Sequence, residues 1–174
     1  MHCIGSREEL KKMSPNYQDV VKKYSKEMDG DKGEVELHRP FIDADAEIVR
    51  RAGCSIPEIF AKGGEAAFRA LEREVTATCG ALSGKLLLTG GGVVKTPENY
   101  AALHQNGRIY QLLRPLEMLP TDGRPLSQGA DLAAMWAERA PLYERFRDAA
   151  IDNSGTVEQT AQAIWRDFCE NSGH

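Results

Sequence analysis

The chain has 174 residues, 41% of them hydrophobic and only 7% aromatic, which suits one domain whose core is packed with aliphatic and alanine side chains. A formal net charge of −4 excludes a general basic footprint for nucleic acid, although single arginines can still meet a small phosphorylated or carboxylated molecule. The apolar runs fall far short of the roughly 20 residues that span a bilayer, the N-terminus lacks the apolar centre of a secretion signal, and four scattered cysteines without a CxxC pair fit a reduced setting, so a cytoplasmic protein without membrane or nucleic-acid partners is expected.

Residues 1–38 are charged, lysine-rich and poor in strand formers, and read as a helical N-terminal segment. Ser6 and Glu9 have capping-box spacing, and Ser14-Pro15 opens a helix in which Tyr17, Val20, Val21, Tyr24 and Met28 share one face. Residues 14–28 are therefore a candidate docking surface for a protein partner. The stretch DGDKGE (Asp29–Glu34) is a turn; Gly33 stands where a calcium loop expects another acid or amide.

Over residues 39–174 strands and helices alternate. FIDAD (Phe41–Asp45) predicts a short strand ending in two acids, and Ala46–Ala52 a short helix closed by Gly53. Ser55 with Glu58 caps another through Phe60; Gly63-Gly64 precede a longer helix from about Glu65 to Cys79, with Phe68, Leu71 and Val75 as its buried stripe. KLLLT (Lys85–Thr89) is a strand that stops on Gly90, Gly91 and Gly92. Thr96-Pro97 opens a helix to about Gln105, Arg108–Leu113 is a strand, and a short helix and the turn-rich PTDGRPLSQG follow. A long helix from Asp131 to about Asp148, the strand AAID (Ala149–Asp152) and a helix from Thr156 to about Cys169, with a Thr156/Gln159 capping box, complete the pattern. Such alternation indicates a three-layer α/β/α fold on a parallel sheet, with ligands at the carboxyl ends of the strands.

Several residues gather near those ends. Asp43 and Asp45, two apart on an extended segment, put both carboxylates on one side, so one can take a proton from a hydroxyl while the other holds water or metal; the alternative is that they cap the next helix. Arg69 is either an ion-pair partner of Glu65 or Glu72 or a ligand for an anion. The triple glycine is either a tight turn or a surface stripped for close approach of a ligand. Arg124 lies in a loop, where arginines face water or close over phosphates. Arg139 precedes Pro141 in a long helical pattern, where a surface charge on a kinked helix is the plain expectation. His2, His38, His104 and His174 are isolated and read as surface residues.

Taken in order, FIDADAEIVRRAGCSIPEIFAKGGEAAFRALE, LLLTGGGVV, TDGRPLS and RAPLYERF resemble shikimate kinase over about Arg39 to the C-terminus. The resemblance implies a P-loop nucleoside-monophosphate-kinase-like enzyme of aromatic amino acid biosynthesis, carrying the γ-phosphate of ATP to the 3-hydroxyl of shikimate with Mg2+. It implies that Asp45 holds the shikimate hydroxyls and acts as base, and that Asp43 orders magnesium through water. Arg69 and Arg139 would grip the carboxylate, the backbone of Gly90, Gly91 and Gly92 would lie against the ring, and Arg124 would close on the ATP phosphates.

The pattern departs from that family at its phosphate loop. No GxxxxGK[ST] occurs; Lys95-Thr96 follows the glycines as GGGVVKT, without the glycine that should precede the lysine. Without the loop, phosphates lose their backbone amides, their lysine and the hydroxyl ligand of magnesium. The first strand and P-loop are therefore expected to be missing or replaced by the N-terminal helical segment, MHCIG being at most a strand stub. The expected activity of the chain alone is weak or nil, with a non-catalytic shikimate-binding protein or a partner-dependent subunit as alternatives.

Overall fold

The computed structural model describes residues 2–4, 41–115 and 130–171. Its strands are β1 (His2–Ile4), β2 (Phe41–Asp43), β3 (Leu86–Thr89), β4 (Ile109–Leu113) and β5 (Ala149–Asp152), forming one 5-stranded sheet in the order β2-β3-β1-β4-β5. Every neighbouring pair is parallel. The helices are α1 (Ala44–Ala52), α2 (Ile56–Gly80), α3 (Glu98–His104), α4 (Ala130–Phe146) and α5 (Val157–Asn171), with a 3-10 turn at Val93–Lys95. Residues 5–40, which hold the proposed docking helix at 14–28, and residues 116–129, which hold Arg124, lie outside the described residues.

The expectation of a missing first strand is corrected. His2 is in register with Leu87 on one side and Ile109 on the other, and Ile4 with Thr89 and Gln111, so the stub occupies the middle of the sheet. Without it, β3 and β4 would each present an unpaired row of N–H and C=O groups in a buried position, which proteins almost never tolerate.

Side chains alternate across the sheet. Leu87 and Ile109 enter a core shared with Ile48 of α1, Val75 of α2, Leu103 of α3 and Phe146 of α4. Leu88 and Tyr110 face the other way, against Ile151 of β5 and Ile164 of α5. Both faces being covered, β3 reads as a continuous apolar run, buried at every position. Ile48, 1% exposed, illustrates the scale: full burial of such a side chain contributes about 1.5–3 kcal/mol.

Local signals set the element ends. Asp43 caps α1, its Oδ1 accepting from the N–H of Asp45 at 3.0 Å and of Ala46 at 3.1 Å. The helix thus starts at Ala44, and the expected extended segment with Asp43 and Asp45 side by side is corrected to a strand ending at Asp43 and a helix whose first turn carries Asp45. Gly53 ends α1 with φ 66°, the left-handed conformation a side chain disfavours, and its N–H reaches Val49 O at 3.0 Å. Glu58 closes the capping box of α2 by accepting from Ser55 N–H at 2.8 Å and Ser55 Oγ at 2.6 Å. Gly64, with φ 65° and ψ −168°, breaks α2 into a short and a long limb, as the glycine pair predicts. Across that break Phe60 stacks on Phe68 at 5.1 Å. The Thr156/Gln159 box forms at α5, with Thr156 N–H to Gln159 Oε1 at 2.9 Å.

The end of α2 packs directly on α3: a Cβ on Gly80 would lie 2.1 Å from the carbonyl oxygen of Ala102. Alanine would gain up to about 1 kcal/mol of helix propensity, but the clash is with rigid backbone, so overpacking wins. Gly80→Ala is expected to lower unfolding free energy by about 1–3 kcal/mol in a urea titration.

Candidate functional site

The carboxyl ends of β2 and β3 are adjacent, Asp43 being in register with Leu88, and β1 beside β3 marks the place where strand order reverses. Crevices at such a switch point are where open α/β sheets bind ligands. The segments leaving these strands are the first turn of α1 and the triple glycine.

Three of the expected groups meet there. A Cβ on Gly90 would sit 3.7 Å from Asp45 Oδ1, which places that carboxylate, itself buried, against the glycine run. A Cβ on Gly92 would lie 2.6 Å from both Nη atoms of Arg69 and 2.9 Å from its Cζ. The two terminal nitrogens being nearer than the carbon, the guanidinium presents its two-nitrogen edge to the space beside Gly92. Among the described glycines, positive φ occurs at Gly53, Gly64 and Gly84, whereas Gly92 has φ −80°. Gly90 to Gly92 are therefore not glycines for the sake of a left-handed turn; at Gly92 the requirement is space.

Arg69 is held from two sides. Nη1 donates to Glu72 Oε2 at 2.6 Å, while Nε and Nη2 both donate to Glu65 Oε1 at 3.2 Å. Its carbon stem turns the guanidinium over the Phe68 ring at 5.2 Å, within cation–π range. Burial opposes the charge of Arg69, yet its hydrogen bonds to Glu72 and Glu65, and their charges, outweigh it and raise its pKa. Glu72, 3% exposed, is pushed up by burial despite the guanidinium, and the charge of Asp45 pushes the same way. Glu65, at the surface, is drawn down by Lys95 and then by Arg69. The ion pair that helix spacing predicts for Arg69 is present with both candidates.

Arg139 differs. It lies on α4, where Tyr143, one turn on, donates its hydroxyl to Gly91 O at 2.9 Å. That bond ties the helix carrying Arg139 to the glycine run. Trp136, 42% exposed, lies 5.9 Å from the Tyr143 ring on the same helix. Among the described residues Arg139 makes no ion pair, and its Nε is buried without a hydrogen-bond partner. An orphaned donor on a cation is chemically able to take an anion.

The sequence reading did not single out Tyr143 or Glu72 as site residues. Tyr143 was accessible, since it follows Arg139 by four residues and must share its helix face; the burial of Glu72 was not, because it depends on β3 and the glycine run closing over α2. Lys95, considered in sequence only as a phosphate lysine, donates to Glu65 Oε1 at 3.0 Å instead.

No cluster of His, Cys, Asp and Glu able to hold a metal occurs among the described residues. Asp43 already spends one oxygen on the cap of α1. The described groups at this end of the sheet are a buried carboxylate, Asp45, and the Arg69 guanidinium, set against the glycine run.

The shikimate kinase family model matches residues 30–169. Shikimate kinase from Synechococcus sp. (strain CC9605) is 41% identical over 133 residues, 71% of this chain and 67% of that protein. The enzyme from Caldanaerobacter subterraneus subsp. tengcongensis is 38% identical over 154 residues, 83% of this chain and 90% of its own. Among solved structures, shikimate kinase from Acinetobacter baumannii in complex with shikimate superposes with TM-score 0.79 at 27% identity, covering 99% of this chain and 94% of that one. The Aquifex aeolicus enzyme gives 0.76 at 26% identity, covering 99% and 98%.

The orphaned Nε of Arg139 has a measurable cost. A buried donor without a partner costs about 1–3 kcal/mol, so Arg139→Met is expected to leave the protein at least as stable as the parent in thermal and urea unfolding, and a clear loss of stability would show that Arg139 is a structural residue.

Proposed function

Because the chain belongs to the shikimate kinase family, whose members use ATP and Mg2+, we propose that it binds shikimate in the site built from Asp45, Arg69, Gly90, Gly91, Gly92 and Arg139, and serves the reaction ATP + shikimate to 3-phosphoshikimate + ADP. The observation that carries this reading is the contact of the Arg69 guanidinium edge with the bare face of Gly92, beside a buried Asp45.

The residues divide the work as follows. Arg69, held by Glu72, offers one edge to the ligand carboxylate, and Arg139 supplies the second cation; two guanidiniums make charge-assisted bonds that also fix the ring's orientation. The glycine run lets the ring lie flat against backbone. Asp45, whose buried carboxylate lies against Gly90 and acts electrostatically on Glu72, accepts hydrogen bonds from ring hydroxyls and takes the proton of the attacking one. Asp43 acts indirectly by fixing the first turn of α1, on which Asp45 sits, and is the acid nearest to hand for magnesium-bound water. Arg124 is the candidate to close on phosphates.

The phosphate side weighs against full activity. The chain has no GxxxxGK[ST], the motif that brings backbone amides and a lysine to the β- and γ-phosphates, and phosphoryl transfer depends on just that positioning and charge neutralisation. We therefore expect shikimate binding with poor turnover by this chain alone. The same sequence fact favours a second reading, a shikimate-binding protein without kinase activity.

Titration calorimetry with shikimate tests the binding claim: Arg139→Met and Gly92→Ala are each expected to weaken affinity about 10- to 100-fold, the range for a lost charge-assisted hydrogen bond. Gly92→Ala should also lower the unfolding midpoint, because a Cβ there displaces the guanidinium that pairs with buried Glu72. Absence of shikimate binding by the parent protein refutes the acceptor-site reading. A coupled ATP assay tests the rest: rates on the order of 1–100 per second would refute poor turnover, and Asp45→Asn is expected to abolish whatever turnover is measured.

A further inference from the structure

We infer that Lys95 is a positioning residue of this site: its ammonium holds Glu65 so that the Arg69 guanidinium, packed against Gly92, keeps donor capacity for the ligand carboxylate. The inference deepens the proposed shikimate-binding reading and rests on it.

Lys95 ends the 3-10 turn that follows the glycine run directly, so its place is set by the same backbone that forms the ligand surface. Its Nζ lies 3.0 Å from Glu65 Oε1, the same oxygen that spans Nε and Nη2 of Arg69 at 3.2 Å each. The charges make the reason plain. Arg69 faces two carboxylates, Glu65 and Glu72, and that trio carries a net negative charge, which repels an incoming carboxylate and competes with it for guanidinium N–H groups. Adding Lys95 brings the group to neutrality. It also shares out the lone pairs of Glu65, whose downward pKa shift owes more to Lys95 than to Arg69. Glu72 needs no such relief, since its 2.6 Å bond uses Nη1 and burial fixes it in place.

Lys95 also reaches the helix that carries the other cation. Its Nζ lies 4.0 Å from Glu138 Oε1, and Glu138 is the residue before Arg139 on α4. One ammonium thus lies between the long limb of α2, which carries Arg69, and α4, which carries Arg139. A compact ammonium with three donors suits this bridging of two carboxylates from different helices.

The test is shikimate affinity by calorimetry on the full chain, with unfolding midpoints measured alongside. Lys95 is exposed, so Lys95→Met is expected to fold like the parent and to bind about tenfold more weakly, a difference of about 1.4 kcal/mol. Lys95→Arg should bind within about threefold of the parent, and Lys95→Met combined with Glu65→Gln should recover most of the loss, because the neutral amide no longer competes for Arg69. A merely structural lysine would show no rescue by removal of its partner's charge. If the parent binds shikimate and Lys95→Met binds equally well, or if the double variant is as weak as the single, the positioning role is refuted while the acceptor site stands. If the parent itself does not bind, both fall together.

Discussion

The contact on which the site depends is the edge-on approach of Arg69 to Gly92. A guanidinium can come this close to main chain only where no Cβ stands in the way, and the pairing with Glu72 is what keeps it there. Leaving a buried carboxylate unpaired costs about 3–5 kcal/mol, so Glu72, 3% exposed, anchors the arginine more firmly than a surface ion pair would. The long limb of α2 is thereby fixed against the exit of β3, and Asp45, on the first turn of α1, is brought to the same spot. The outcome is a division between a cation that is immobilised in advance and a second, Arg139, whose Nε lacks any partner of its own.

Much of this was legible in the sequence because it rests on local rules. The capping boxes at Ser55 and Thr156, the Gly53 helix stop and the break at Gly64 all form where short-range patterns put them. The order of strands and helices followed from alternation alone. The Arg69 ion pairs with Glu65 and Glu72 are likewise set by helix spacing.

What escaped is non-local or depends on a small preference between competing local ones. Asp43, rather than Asp45, caps α1, since its side chain reaches two amides at once, and that choice shortens β2 and turns Asp45 into a helical residue. The glycine run admitted two readings, and it forms a turn closed by Val93 N–H to Gly90 O at 3.1 Å while Gly92 also lies against the Arg69 guanidinium. The three residues of β1 are too few to carry a periodic signal, and only the need of β3 and β4 for partners gives them their place. Nothing within α2 indicates that Lys95 will meet Glu65, because they come together only when the turn after the glycines folds back.

The position of β1 has a consequence for how the molecule is made. His2–Ile4 precedes both of its neighbours in the chain, yet hydrogen-bonds to strands that include Leu87 and Ile109. During synthesis this strand emerges long before either flank exists, and it stays without a pairing partner while β2, α1 and α2 are being produced. Contacts of such wide sequence separation carry a loop-closure penalty and slow folding. The sheet therefore closes at its centre late, and until then the opposed borders of β3 and β4 are open to mispairing with other nascent chains.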